Sequence, residues 1–170
     1  MSEFPISHFY ELGRLGKAGD SVEIVASPEQ RARIAAWAGV DTVEAFRARI
    51  DLRRISPTRF GYDAVLDCDV VQSCVVTLEP VRSRIERRFS RELLLTEAAA
   101  HAEEPAPVDE DGREEIGSLR YDLAVPALEE LALSIDPYPR APGVEFHPPG
   151  DAGGEAAPAF AVLKQLKPGR

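Results

Sequence analysis

Two cysteines among 170 residues are too few for a disulfide scaffold, and a reduced, cytosolic setting is the default expectation. No apolar run approaches the roughly 20 residues that a membrane-spanning helix requires. The opening Met1-Ser2-Glu3-Phe4-Pro5 lacks a basic stretch followed by an apolar one, so no signal peptide is expected. Also missing are Gly-x-Ser-x-Gly, a Walker loop, Gly-x-Gly-x-x-Gly and His-Glu-x-x-His, so nothing in the motifs argues for an enzyme. What remains is 44% hydrophobic and 29% charged. That is the composition of a globular chain, and the length suits a single domain, 1–170, with a real core.

Charge is distributed unevenly. The whole chain carries −9, but between Glu97 and Glu115 eight acids face one base, Arg113, so that segment alone carries −7. With Pro105, Pro107 and few branched aliphatic residues it cannot offset the ordering entropy of a packed structure, and 97–115 reads as an acidic flexible linker. From Arg47 to Arg91 the balance reverses: ten arginines and no lysine stand against six acids. An acidic total normally argues against a nucleic-acid partner, but that argument fails when the acid is confined to one segment. A second loose stretch, 147–158, is rich in Pro, Gly and Ala.

Hydropathy periodicity predicts an α+β domain, an antiparallel meander sheet of about five strands, open or barrel-like, covered by two to three helices. Phe4–Leu12 reads as a first edge strand and Val22–Ala26 as a second. Ser27-Pro28-Glu29-Gln30 starts a helix, with Ser27 as cap, Pro28 at the first position and Gln30 returning a bond, and Gly39 ends it. Ile34, Ala35 and Trp37 should face inward. From Val43 to Arg91 the period is two: Phe46, Ala48, Ile50 and Leu52 form one buried row, and Phe60, Tyr62, Ala64, Leu66, Cys68 and Val70 a second. Val81, Ser83, Ile85 and Phe89 form the third. Asp122 is expected to cap a helix over Leu123–Ser134 that buries Val125, Leu128, Leu131 and Ala132; a last helix is expected over 159–166.

Three sets of residues bear on chemistry. Cys68 and Cys74 are too far apart for a Cys-x-x-Cys metal pair and read as a buried apolar and a structural cysteine. Asp67 and Asp69 share one side of a strand, where they either solvate the face or hold a cation. Arg47, Arg49 and Arg53 lie on the polar side of one strand, and Arg82, Arg84 and Arg88 on that of another. Guanidinium groups fork onto phosphate oxygens, so these six are the candidate nucleic-acid-binding residues. The plainer alternative is a sheet face solvated by arginine. Whether the two trios share a side depends on strand pairing.

Ordered motifs add a resemblance. Asp69-Val70-Val71-Gln72-Ser73-Cys74-Val75-Val76-Thr77-Leu78-Glu79-Pro80-Val81, then Tyr121-Asp122-Leu123, then the stretch from Leu131 to Arg140 with Asp136-Pro137-Tyr138-Pro139, and finally the run from Pro158 to Lys167 resemble the YceD family. Its members are large ribosomal RNA subunit accumulation proteins. The motif positions are Cys74, Glu79, Pro80, Asp122, Leu123, Pro137 and Pro139. Many members carry Cys-x-x-Cys; here Cys74 holds the first position and Thr77 the second. The resemblance implies a non-enzymatic ribosome-biogenesis factor, with large-subunit rRNA or a pre-ribosomal particle as partner and no catalytic residues, metal or cofactor. A protein-binding adaptor that engages a large-subunit ribosomal protein or assembly factor through the acidic segment is the alternative.

Overall fold

The computed structural model describes residues 4–97 and 113–144. In chain order these form β1 (Phe9–Glu11), a 3-10 turn (Leu12–Arg14), β2 (Asp20–Val25), α1 (Pro28–Ala38), β3 (Thr42–Arg54), β4 (Arg59–Ser73) and β5 (Pro80–Leu95). They continue with β6 (Glu114–Ile116), β7 (Arg120–Asp122) and α2 (Ala124–Ser134). The fold is α+β. Five strands make one sheet in the order β2-β3-β4-β5-β6, antiparallel except for the β5–β6 pair. It is open, with β2 and β6 at its edges, so the barrel-like option does not hold. Closure would require the two edges to pair, and β6 is only three residues long.

Local signals explain the best-formed elements. Ser27 Oγ accepts the Gln30 N–H at 3.3 Å and Gln30 Oε1 accepts the Ser27 N–H at 2.8 Å, a reciprocal cap that satisfies two otherwise orphaned donors. Gly39 ends α1 in the left-handed region at φ 68°. Ile34 and Ala35 are buried, while Trp37 is half-buried and packs its ring 5.9 Å from that of Phe4. The alternating rows of β3 and β4 are buried as their period requires, with Ala48, Ile50, Phe60, Tyr62, Leu66 and Cys68 fully enclosed.

Other expectations shift. The strand expected over Phe4–Leu12 shrinks to Phe9–Glu11 and pairs with β7 in a separate two-stranded sheet. Leu12 instead turns inward, fully buried, and its N–H bonds Leu119 O at 2.9 Å. Asp122 Oδ1 accepts the Ala124 N–H at 3.0 Å and also the His8 N–H at 2.7 Å, so it ties the helix start to the N-terminal segment. The buried stripe of α2 is Ala124, Ala127, Leu128 and Leu131, at i, i+3, i+4 and i+7, with Pro126 also enclosed. Val125 is therefore only half-buried, and Ala132 is exposed. At the end of the expected linker, Glu114 and Glu115 belong to β6, which pairs with Leu93 and Leu94. Residues 98–112, the stretch 147–158 and the expected helix 159–166 lie outside the described residues. No described helix is long and apolar enough to cross a membrane.

Candidate nucleic-acid interface

Strand register decides where the arginines go. Arg47 pairs with Asp67, which pairs with Glu86; Arg49 pairs with Val65, which pairs with Arg88; Arg53 pairs with Gly61, which pairs with Glu92. Directly paired residues point to the same side of a sheet. Arg47, Arg49, Arg53, Arg82, Arg84 and Arg88 therefore share one face, the side opposite the helices and core. Arg59, at the start of β4, joins them; simple alternation from Phe60 would have placed it there.

The same register fills that face with carboxylates. Arg47 Nε lies 3.5 Å from Glu23, Arg49 Nε 3.4 Å from Asp51, and Arg59 Nη2 2.8 Å from Glu92. Arg84 bridges Asp67 at 2.6 Å and Glu86 at 2.9 Å. Arg53 pairs with Asp63, and its guanidinium lies across Gly61, where a Cβ would meet it at 3.3 Å. Glu44 reaches the face because a bulge between Val43 and Ala45 leaves it without a strand partner; its carboxylate sits 3.1 Å from Arg82. With Asp69, opposite Arg84, the carboxylates outnumber the guanidiniums by one. The surface is a charge-compensated lattice rather than a cationic patch.

Compensation is not uniform across the strands. On this face the charged residues of β4 between its ends are all acids (Asp63, Asp67 and Asp69), and Asp67 pairs with Arg84. β5 carries Arg82, Arg84 and Arg88 against Glu86. Among the described residues Arg88 makes no ion pair. It borders a shallow depression of about 320 Å³ whose lining includes Asp51, Asp63, Val65 and Ser90. Among the described residues the far side of β5 is paired by β6 only at Leu93–Leu95, and no described strand pairs that edge from Pro80 to Glu92.

The motif residues assemble elsewhere, at the β4–β5 turn. Cys74 Sγ is fully buried and accepts the N–H groups of Thr77 (3.4 Å), Ala141 (3.4 Å) and Val76 (3.5 Å). With the Thr77 hydroxyl as the leading cause and these amides after it, the thiol is drawn down to about 6. Cys68 is the opposite case: burial, then the nearby Asp69 and Asp67, pushes it up to about 12. The Thr77 contribution was readable from the Cys-x-x-Cys position it fills; that of Ala141 was not, because 67 residues separate it from Cys74. Cys74 N–H bonds Glu79 O, and Pro80 opens β5 opposite Ser73. Val75 N–H bonds the carbonyl of the buried Pro139 at 2.9 Å, and Gln72 Nε2 bonds Asp136 O at 2.9 Å. Two motif stretches far apart in sequence are thus docked on each other. Leu123 is fully buried and Pro137 is exposed.

A family model described as "Large ribosomal RNA subunit accumulation protein YceD" matches residues 63–167. The chain belongs to the YceD family. The match takes in β4 from Asp63 onward, β5, the docked turn and α2, hence one arginine trio and every motif position. Membership implies a role in the accumulation of large-subunit ribosomal RNA. Neither the curated proteins nor the solved structures contained a match. Among the described residues no group of three or more His, Cys, Asp or Glu is placed to hold a metal ion.

Proposed function

We propose that this YceD-family protein is a cytoplasmic, non-enzymatic ribosome-biogenesis factor that supports accumulation and processing of large-subunit rRNA. It contacts that RNA, or a pre-ribosomal particle, along the β5 side of the sheet face. The observation supporting this most directly is the row Arg82, Arg84 and Arg88 beside a strand edge that no described strand pairs, with Arg88 in no ion pair among the described residues. Exposed pairs such as Arg82–Glu44 are worth about 1 kcal/mol or less, so a phosphate can take over the guanidinium. Arg47, Arg49 and Arg53 then order the neighbouring acids more than they bind. In filter binding with large-subunit rRNA fragments, the affinity should fall with salt by roughly 0.7 log units per log unit of salt for each phosphate neutralised. With three arginines engaged the slope is about −2. Changing Arg82, Arg84 and Arg88 to Ser should abolish most of that slope, and an unchanged slope would remove direct contact from the assignment.

One observation favours the second reading, a protein adaptor working through the acidic segment. The sheet face already carries its own carboxylates, so the −7 of residues 97–115 is not needed to balance it. That charge suits a basic ribosomal protein. Pull-downs from nuclease-treated extract distinguish the two readings, since a protein contact survives and an RNA tether does not.

A further inference from the structure

The docked turn has an unusual outer surface. Leu78 is 77% exposed and Tyr138 71% exposed, and Val75, one turn from Leu78, is exposed beside them. They are held together by the Val75–Pro139 and Cys74–Ala141 hydrogen bonds, not by burial of their own side chains. Leu133, on the last turn of α2 leading into the same stretch, is also exposed. Leu78 sits at φ 62°, in the left-handed region, which costs a residue with a Cβ roughly 1–2 kcal/mol. The core gains nothing from this arrangement.

We propose that this apolar surface is the seat of the chain's own C-terminal segment, residues 158–167. In the sequence Phe160, Leu163 and Leu166 recur at intervals of three, large apolar residues accompanied by Lys164 and Lys167. Exposed acids flank the seat: Glu79 follows Leu78, and Asp136 precedes Pro137 and Tyr138. Reach is favourable as well. The described chain ends at Val144, three residues after Ala141, whose N–H is bonded to Cys74. Fifteen residues, 145 to 159, lie between, and a chain of that length can reach about 21 Å. A tether that short raises the local concentration to the millimolar range, so a contact too weak to join separate molecules is populated within one chain. The family match, running from residue 63 to 167, places seat and segment in one unit.

The test uses the full chain with the photoreactive p-benzoylphenylalanine in place of Phe160. On irradiation, the expected product is a crosslink within one chain to residues 75–78 or 133–138. Changing both Leu78→Ser and Tyr138→Ser should lower its yield at least roughly tenfold, a loss of about 1.4 kcal/mol in apolar contact. Both side chains project into solvent, so the fold is retained, which circular dichroism checks. Crosslinks that map elsewhere, that join two copies, or that survive the double change undiminished would overturn the proposal, as would the absence of any crosslink.

Discussion

Arg91 and Arg47 make the same kind of ion pair in one sheet, yet their surroundings give the pairs different consequences. The Arg91 side chain, 28% exposed, points to the core side of β5. It donates to Glu129 of α2 at 2.7 Å and to Glu114 of β6 at 3.4 Å. Glu114 also accepts the Tyr121 hydroxyl at 2.9 Å, and the Tyr62 hydroxyl lies 3.5 Å from that of Tyr121. Burial pushes both phenols upward, so each keeps its proton and remains a donor. One guanidinium thereby joins β4, β5, β6, β7 and α2. Arg47 and Glu23 meet at 3.5 Å on the outer face, 63% and 57% exposed. Water solvates either partner when the other leaves. The inner cluster is architecture, whereas the outer lattice is a set of exchangeable contacts, and only exchangeable contacts can be transferred to a phosphate.

The sharpest way to break this comparison is Arg91→Ala. It leaves Glu114 and Glu129, 30% and 42% exposed, without their cation in a half-buried site, at a cost of about 2 kcal/mol, less than a fully buried pair would lose. The urea midpoint should fall accordingly, and a loss below about 1 kcal/mol would mean that the inner cluster is no more structural than the outer one. Tyr121→Phe, which removes the donor to Glu114 and the hydroxyl that Tyr62 meets at 3.5 Å, should cost about 1 kcal/mol in the same assay.

The two thiols sharpen the lesson through pH. Cys74 is lowered in the folded state to about 6 from an ordinary value of 9.0, so its thiolate form is the one the fold prefers. Its contribution to stability is complete above pH 9, shrinks as pH falls, and is gone below about pH 6. The gap in urea midpoint between the wild type and Cys74→Ser should widen from pH 6 to pH 9, because the hydroxyl does not ionise there. Ultraviolet thiolate absorbance should show one titration near 6 that the variant lacks, while Cys68 stays silent until about 12. A gap independent of pH would mean that the amide cradle holds a neutral thiol.

Much of this was legible in the sequence because it depends on neighbours along the chain. The Ser27–Gln30 cap needs residues three apart, and the buried rows of β3 and β4 need only a period of two. That is why the open sheet's composition and one buried face could be read, and why each arginine trio could be seen as coherent. The motif residues likewise stand out in the sequence, although nothing local shows their docking. What periodicity cannot supply is partnership across strands. Glu23, Asp67 and Glu86 are plain in the sequence, but only the register, and the bulge that frees Glu44, sets them against Arg47, Arg84 and Arg82. In α2 the expected Leu128 and Leu131 are buried, but Val125 and Ala132 are not. Ala124, Pro126 and Ala127 take their places for a related reason: the elements they meet bury them, not their own hydropathy. Arg91 was counted with the basic stretch, and nothing local marks it as the centre of a cluster assembled from residues 23 and 38 positions away.

The smallest expected effect belongs to Arg47→Ala. Its pair is long and exposed at both ends, and holding two flexible side chains together costs entropy that the attraction barely recovers, so about 0.5 kcal/mol or less should be lost. A chemical-denaturation midpoint indistinguishable from wild type is the expected result. If the loss instead approached that of Arg91→Ala, the outer lattice would be a cooperative network whose members cannot be lent one at a time. A phosphate would then have to displace several carboxylates together. The Arg82, Arg84 and Arg88 variant would weaken RNA binding by deforming the face rather than by removing contacts. Measuring Arg47→Ala first therefore fixes how the RNA experiment is to be read.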